Sequence, residues 1–446
     1  MRDINSGKEL VEKISGFIKD YDFEIVAVEN RSELTRFAES YIHQNVAETN
    51  LGLVVKIINE DRIGMATMNC IDDHSLSQNI QKAIEITKIS PKLDYNYRLV
   101  PPQRYTLECK FSQKTAQFTP LARAQLIKQL VKKVHQSKYN AAGAFTTEVN
   151  TLLVANSEGI FAFDRGTKVG FNCVITKKNS TAYYSFISEE IDDLDIERST
   201  DELLLTASRN TEQTEIEPGV YTVILSPEAV SEILNYTCYS AFNGKMIMEG
   251  QSFISNNRGK KLFPETVSIS DDPFEKLTIP IPCDFAGWPR EKVCLVKDGV
   301  IVDGVYDHNT ALKYNKKCTA NTLPPEHSSF GALPFNTVMK EGDNTIEEMI
   351  SSTKKGVYIS RLHYVNILNP MSIQLTGMTR NGTFLIEDGK MTAALKNMRF
   401  NTSIVDMLKA VDMISKERQA KEGFIGSTVA PYLRTNNFTF SSKTSF

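Results

Sequence analysis

Cysteine, histidine and tryptophan are sparse along this 446-residue chain, and their spacing excludes several kinds of site. The seven cysteines, Cys70, Cys109, Cys173, Cys238, Cys283, Cys294 and Cys318, are odd in number and dispersed, with no C-x-x-C pair. That pattern excludes a disulfide framework and leaves reduced, mostly buried thiols. The six histidines, His43, His74, His135, His308, His327 and His363, include no H-x-x-x-H or H-x-H pair, so a zinc site within the chain would need ligands from distant segments. Neither charge sign dominates: 51 Lys and Arg stand against 54 Asp and Glu, a net charge of −3. The basic pairs Lys316-Lys317 and Lys354-Lys355 are too short to track a nucleic-acid backbone, so no nucleic-acid partner is expected. No run of about 20 apolar residues occurs, and the opening MRDINSGKELVEK has no apolar core of signal-peptide length. The expectation is a cytoplasmic protein without a membrane partner. Residues 382–390 end in Gly-Lys, but the spacing and Met391 rule out a P-loop.

With 41% hydrophobic and 24% charged residues, the composition is that of an ordinary globular protein, and the length argues for two domains. The fold class expected is α+β: an N-terminal α/β domain with helices on a sheet (1–212) and a C-terminal β-rich antiparallel domain (218–446). In the first, residues 8–20, 75–89 and 120–135 have helical spacing, the last starting from Thr119 with Leu121, Ala124, Leu126, Ile127, Leu130 and Val134 on one side. Strand-like segments fall near 23–29, 32–39 and 52–58. An antiparallel meander follows over 144–188, with turns expected at Ser157-Glu158-Gly159 and Asp164-Arg165-Gly166. A helix near 196–209 leads into the polar link 211–215. In the second half, Asp298-Gly299, Asn381-Gly382 and Asp388-Gly389 separate alternating apolar runs and read as hairpin turns. Residues 343–348 fit a capped short helix, and 403–415 another.

The segment 219–240, GVYTVILSPEAVSEILNYTCYS, has the strongest local signals. Val220 to Ile224 are β-branched or aromatic, Ser226 offers an N-cap, Pro227 takes the first helical position, and Glu228 sits in the first turn. Ala229, Val230, Ile233, Leu234, Thr237, Cys238, Ala241 and Phe242 form one apolar face. Cys238 could be imagined as a nucleophile, but no base or cation lies near it on the helix, so a buried core thiol is the stronger reading. Asp284 and Arg290 flank a turn around the only tryptophan, Trp288. They read as a turn with a solvated ion pair, with a carboxylate clamp as the alternative.

This strand, the Ser-Pro-Glu entry and the helix resemble the C-terminal half of the TldD/PmbA family, also called "modulator of DNA gyrase" proteins. The run 356–408, the closing Gly426-Ser427-Thr428-Val429-Ala430-Pro431, and the segments 284–290 and 297–300 fit the same pattern. The resemblance covers most of 218–446, whereas the first 210 residues match only in general layout. In the TldD-like branch the helix carries His-Glu-x-x-x-His, and those positions fall here on Asn235, Tyr236 and Ser240. That branch also has a Cys ligand near its C-terminus, but the last cysteine here is Cys318. A peptidase zinc needs imidazole or thiolate ligands, an open position for water and a carboxylate to take its proton.

The resemblance therefore implies the PmbA/TldE-like branch, with no catalytic or metal residues of its own and no cofactor. Zinc is expected only in a TldD-like partner. The implied function is that of the non-catalytic subunit of a zinc metallopeptidase complex acting on unfolded peptides, partnered by a TldD-like paralogue or by itself as a homodimer. Arg361 and His363, near the family's cleft, are candidates for meeting a peptide; the competing reading of His363 is a strand histidine satisfied by a backbone carbonyl. The alternative function is a stand-alone homodimeric peptide-binding or regulatory protein. An independent Ser or Cys hydrolase finds no nucleophile-base pair to support it.

Overall fold

A computed structural model describes Met1 and residues 3–444. The first half builds a six-stranded antiparallel sheet from β1 (Asp22–Ala38), β2 (Tyr41–Asn59), β3 (Arg62–Met68), β4 (Asn140–Asn156), β5 (Phe161–Lys177) and β6 (Ser180–Ser188), in the order β3-β2-β1-β4-β5-β6. The segments expected at 23–29 and 32–39 are one strand. The long β1–β2 and β2–β3 hairpins close through Glu39-Ser40 and Glu60-Asp61, all with positive φ, which is the backbone of a type I′ turn without its usual Asn-Gly signal. The turn expected at Asp164-Arg165-Gly166 lies inside β5. Gly166 is there for close approach: a Cβ on it would come within 2.7 Å of the Cys109 Cβ.

Helices Ile4–Gly16 and Asp73–Ile89 bury Leu10, Ile14, Leu76 and Ile80 against Ile25, Leu53, Ile57 and Leu153. Helices Pro120–Gln136 and Ile196–Arg209 cover Phe37, Phe145 and Phe171. The face of Pro120–Gln136 differs from the periodic reading. Leu121 is 69% exposed, while Arg123 is buried, donating to Glu33 (3.0 Å), Thr35, Thr147 and the Phe118 carbonyl. A buried guanidinium with this many acceptors is invisible to an apolar count.

The second half forms a larger sheet, mostly antiparallel as expected, but with parallel pairs near its middle. Gly219–Leu225 runs parallel to Lys355–Ile359 and antiparallel to Ser427–Lys443, which is itself parallel to Asn336–Met339. Such parallel pairs need a crossover, and the helix Pro227–Ala241 starts the one that follows Gly219–Leu225. Asp298-Gly299 and Asp388-Gly389 close hairpins as expected, with positive φ at both positions. Asn381-Gly382 does not, because the strands on either side, Gln374–Thr379 and Thr383–Glu387, pair with other partners. The helix expected over 403–415 stops as Ile404–Lys409. Val411–Glu422 is drawn into a strand by pairing with Ser427–Lys443. In the polar link, Gln213–Thr214 pairs with Ala394 and Leu395 at the edge of the second sheet. The sheets share an apolar cluster in which Val26, Val154 and Ile160 meet Phe285, Leu333 and Phe335.

Two substitutions on Pro120–Gln136 test this packing. Arg123→Ala leaves Thr35, Thr147 and the Phe118 carbonyl without their buried donor, while Glu33 keeps Arg31, and is expected to lower unfolding stability by about 1–3 kcal/mol. Leu121→Ala is expected to change it by less than about 0.5 kcal/mol. Urea denaturation of both variants reads the difference.

Candidate functional site

The helix Pro227–Ala241 begins where the sequence placed it. Ser226 accepts from the Ala229 amide at 3.3 Å, and Ala229, Val230, Ile233, Leu234, Cys238 and Ala241 are buried. The stripe opposite this face, Glu228, Glu232, Tyr236 and Tyr239, turns toward other elements. Glu228 accepts from the Ser185 hydroxyl on β6 (2.5 Å) and pairs with Lys421 (3.2 Å). Burial raises the Glu232 carboxyl, Glu228 adds to this, and Arg361 works against it. Tyr236 meets the Phe424 ring edge-on at 5.4 Å, and Tyr239 stacks on Phe330 at 4.6 Å. An acid-to-aromatic stripe at helical spacing on an otherwise buried helix is a signal that reading only the apolar face passes over.

The three motif positions are committed to structure. Asn235 is buried; its Oδ1 accepts from Thr428 Oγ1 at 2.6 Å and its Nδ2 donates to the Glu422 carbonyl at 3.1 Å. Ser240 donates back to the Tyr236 carbonyl of its own helix at 2.9 Å. Tyr236 lies against an aromatic ring. An amide and two hydroxyls are poor zinc donors, and the amide and the serine hydroxyl already have partners, so these residues do not fit a zinc ion. Among the described residues, no group of three or more His, Cys, Asp and Glu is placed to hold a metal.

Of the cleft candidates, Arg361 lies with its guanidinium 3.7 Å over the Tyr183 ring of β6, beside Glu232. His363, on the strand Leu362–Asn369, packs on Tyr364 at 4.3 Å. Burial, then Arg380 and Arg361, lower its pKa and favour the neutral ring. It lines neither of the cavities described below. The solvated ion pair expected of Asp284 and Arg290 is absent, since both are buried and they bind different partners. Asp284 accepts from the amides of Ala286, Trp288 and Thr322, while Arg290 pairs with Asp271 at 2.6 Å, both side chains fully buried. The loop is a polar core, since Asp271 also accepts from Asn321 and the Asn336 amide. Cys238 is a core thiol pushed up to about 12 by burial.

Sequence reading missed the main opening. Among the described residues β6 pairs with β5 alone, while Val411–Glu422 pairs with Ser427–Lys443 and has its other edge bridged at 414–416 by Gly342 and Asn344, so the outer edges at 184–188 and 417–421 have no strand partner. These edges line a groove of about 760 Å³ through residues 184–188 and 417–421, walled by Asp195, Arg198 and Glu202 and by residues 276–279. Lys421 binds the Ser185 carbonyl (2.8 Å) and joins the two edges. The carbonyls of Thr181 and Ser185 point away from β5, to Asn210 and Lys421, so the period of two turns the backbone groups of Tyr183 and Ile187 outward as well.

Residues 218–442 match the profile of a family described as "PmbA/TldA metallopeptidase C-terminal domain". A metalloprotease of Methanocaldococcus jannaschii is 21% identical over 93% of this chain and 94% of its own length. A "Metalloprotease TldD homolog" of Buchnera aphidicola is 23% identical over 86% of this chain and 83% of its own. The crystal structure of TldE from Thermococcus kodakarensis superposes with a TM-score of 0.87 at 19% identity, covering 98% of this chain and 99% of that one, a likeness of fold.

Two further outcomes are expected. Arg290→Met leaves Asp271 buried without its cation and costs about 3–5 kcal/mol in urea unfolding. At pH 8 an alkylating reagent labels exposed Cys70 and leaves Cys238 unmodified in a mass-spectrometric map, because burial both shields the Cys238 thiol and holds it protonated.

Proposed function

The chain belongs to the PmbA/TldD family, and from that premise we propose that it is a PmbA/TldE-like, non-catalytic subunit of a TldD-type zinc metallopeptidase that processes unfolded peptides. The observation that carries this reading is the state of the motif helix: Asn235 and Ser240 spend their polar atoms on hydrogen bonds, and Tyr236 packs on Phe424. In this reading a TldD-like partner supplies zinc and general base, and this chain holds the substrate.

The groove supports the second half of the proposal. An extended peptide laid between two free strand edges gains main-chain hydrogen bonds whatever its side chains, which suits an unfolded substrate of varied sequence. Its walls carry both signs of charge, with Lys276 and Arg418 near Asp195 and Glu202, so the groove imposes no strong charge requirement of its own.

The test is reconstitution. The chain alone is expected to leave an unfolded peptide intact, and the chain mixed with a TldD-like paralogue to cleave it faster than the paralogue alone. A peptide N-methylated at alternate residues is expected to lose this gain, because its strand-pairing donors are blocked. Cleavage by the isolated chain, abolished by one Ser or Cys substitution, would overturn the proposal in favour of an independent hydrolase.

A further inference from the structure

Beside the groove, and sharing Glu189 and Ile279 with it, lies a smaller cavity of about 290 Å³ between β1, β4 and β5 on one side and residues 279–282 on the other. Its size suits one side chain rather than a whole ligand. Its floor is apolar, formed by Val28, Leu152, Ile281 and Phe285, while Glu148, Asp164, Glu189 and Glu422 also line it, and Lys168 is the one cation among the described lining residues.

The charges are unequally paired. Lys168 is bound to Glu422 at 2.5 Å. Glu148 accepts from the Asn150 side chain, Asp164 from the Cys109 amide and Glu189 from the Lys110 amide, all neutral donors. Among the described lining residues four carboxylates stand against one ammonium around an apolar floor, with the Lys110 ammonium near Glu189 outside the lining. Burial, helped by Asp164 and Glu190, raises the Glu189 carboxyl against the Lys110 amide hydrogen bond and the more distant Lys110 ammonium, which is itself paired with Glu190; a cation in the cavity would offset the burial further.

We propose that this cavity receives the side chain of a lysine or arginine from a peptide lying in the groove. The aliphatic stem covers Val28 and Leu152 and the cationic head lies among Glu148, Asp164 and Glu189. The inference rests on the peptide-holding role and adds a substrate class to it: unfolded peptides with basic residues. The groove's mixed charge gives little selection, so the preference arises in the cavity. An acidic side chain meets like charge there, and an apolar one leaves the carboxylates unpaired.

The experiment uses the intact chain and dye-labelled unstructured peptides that differ at one position, lysine, norleucine or glutamate, with binding read by fluorescence anisotropy. The lysine peptide is expected to bind on the order of tenfold more tightly than the norleucine peptide at low salt, with the advantage shrinking as salt rises. In the double variant Glu148→Gln/Glu189→Gln, which keeps hydrogen-bond acceptors at both positions, the advantage is expected to fall to about unity while norleucine binding is unchanged. Val28→Trp, filling the cavity from a partly exposed position, is expected to remove it too, and serves alone if the double variant misfolds. Equal binding of all three peptides to the unmodified chain overturns this inference and leaves the groove intact. A lysine preference surviving both variants overturns it as well, by placing the selection elsewhere. Binding of no peptide, with or without a TldD-like partner, overturns the groove and the cavity together.

Discussion

The side-chain amide of Asn235 holds the motif helix to the hairpin that closes the groove. Through Thr428 and the Glu422 carbonyl it ties Pro227–Ala241 to both strands of the hairpin Val411–Glu422/Ser427–Lys443. That hairpin supplies the groove's second edge, the Lys421 link to β6 and the Phe424 ring against Tyr236. In the proposed reading, the position where the TldD-like branch would carry a ligand acts here as a fastener, which keeps the helix in place without metal chemistry. The buried amide is satisfied on both its oxygen and its nitrogen, so replacing it would leave hydrogen-bonding groups stranded on either side.

Charge in the molecule is handled in two ways. Where it is structural, it is buried and matched, as in the Arg290–Asp271 pair and the Arg123 network. Along the groove the pairs are more exposed, Arg198 with Glu202, Arg418 with Glu275 and Lys421 with Glu228, and in the side cavity Glu148, Asp164 and Glu189 accept hydrogen bonds from neutral amides.

Much of the fold was legible because its signals are local. The Ser226-Pro227-Glu228 entry, the apolar face of the helix and the Asp-Gly hairpins at 298–299 and 388–389 depend on neighbouring residues, and they lie where the sequence placed them. What failed depended on partners far along the chain. Val411 became strand because Thr435 pairs with it, Gly166 serves a close approach of Cys109, and Arg123 finds its acceptors on strands β1 and β4. Of the site, Asn235, Tyr236 and Ser240 were named from the resemblance alone, and the structure shows what each of them contacts. The groove could not, because it is made by strand edges more than 200 residues apart in sequence, and no local pattern records that they face each other.

The central proposal is that the polar atoms of Asn235 and Ser240 serve structural hydrogen bonds and hold no metal, and its most direct test is the zinc content of the purified chain after exposure to excess zinc and gel filtration. The account predicts far less than one equivalent by elemental analysis, with or without bound peptide. Zinc near one equivalent, lost on substitution of Asn235 or Ser240, would contradict it.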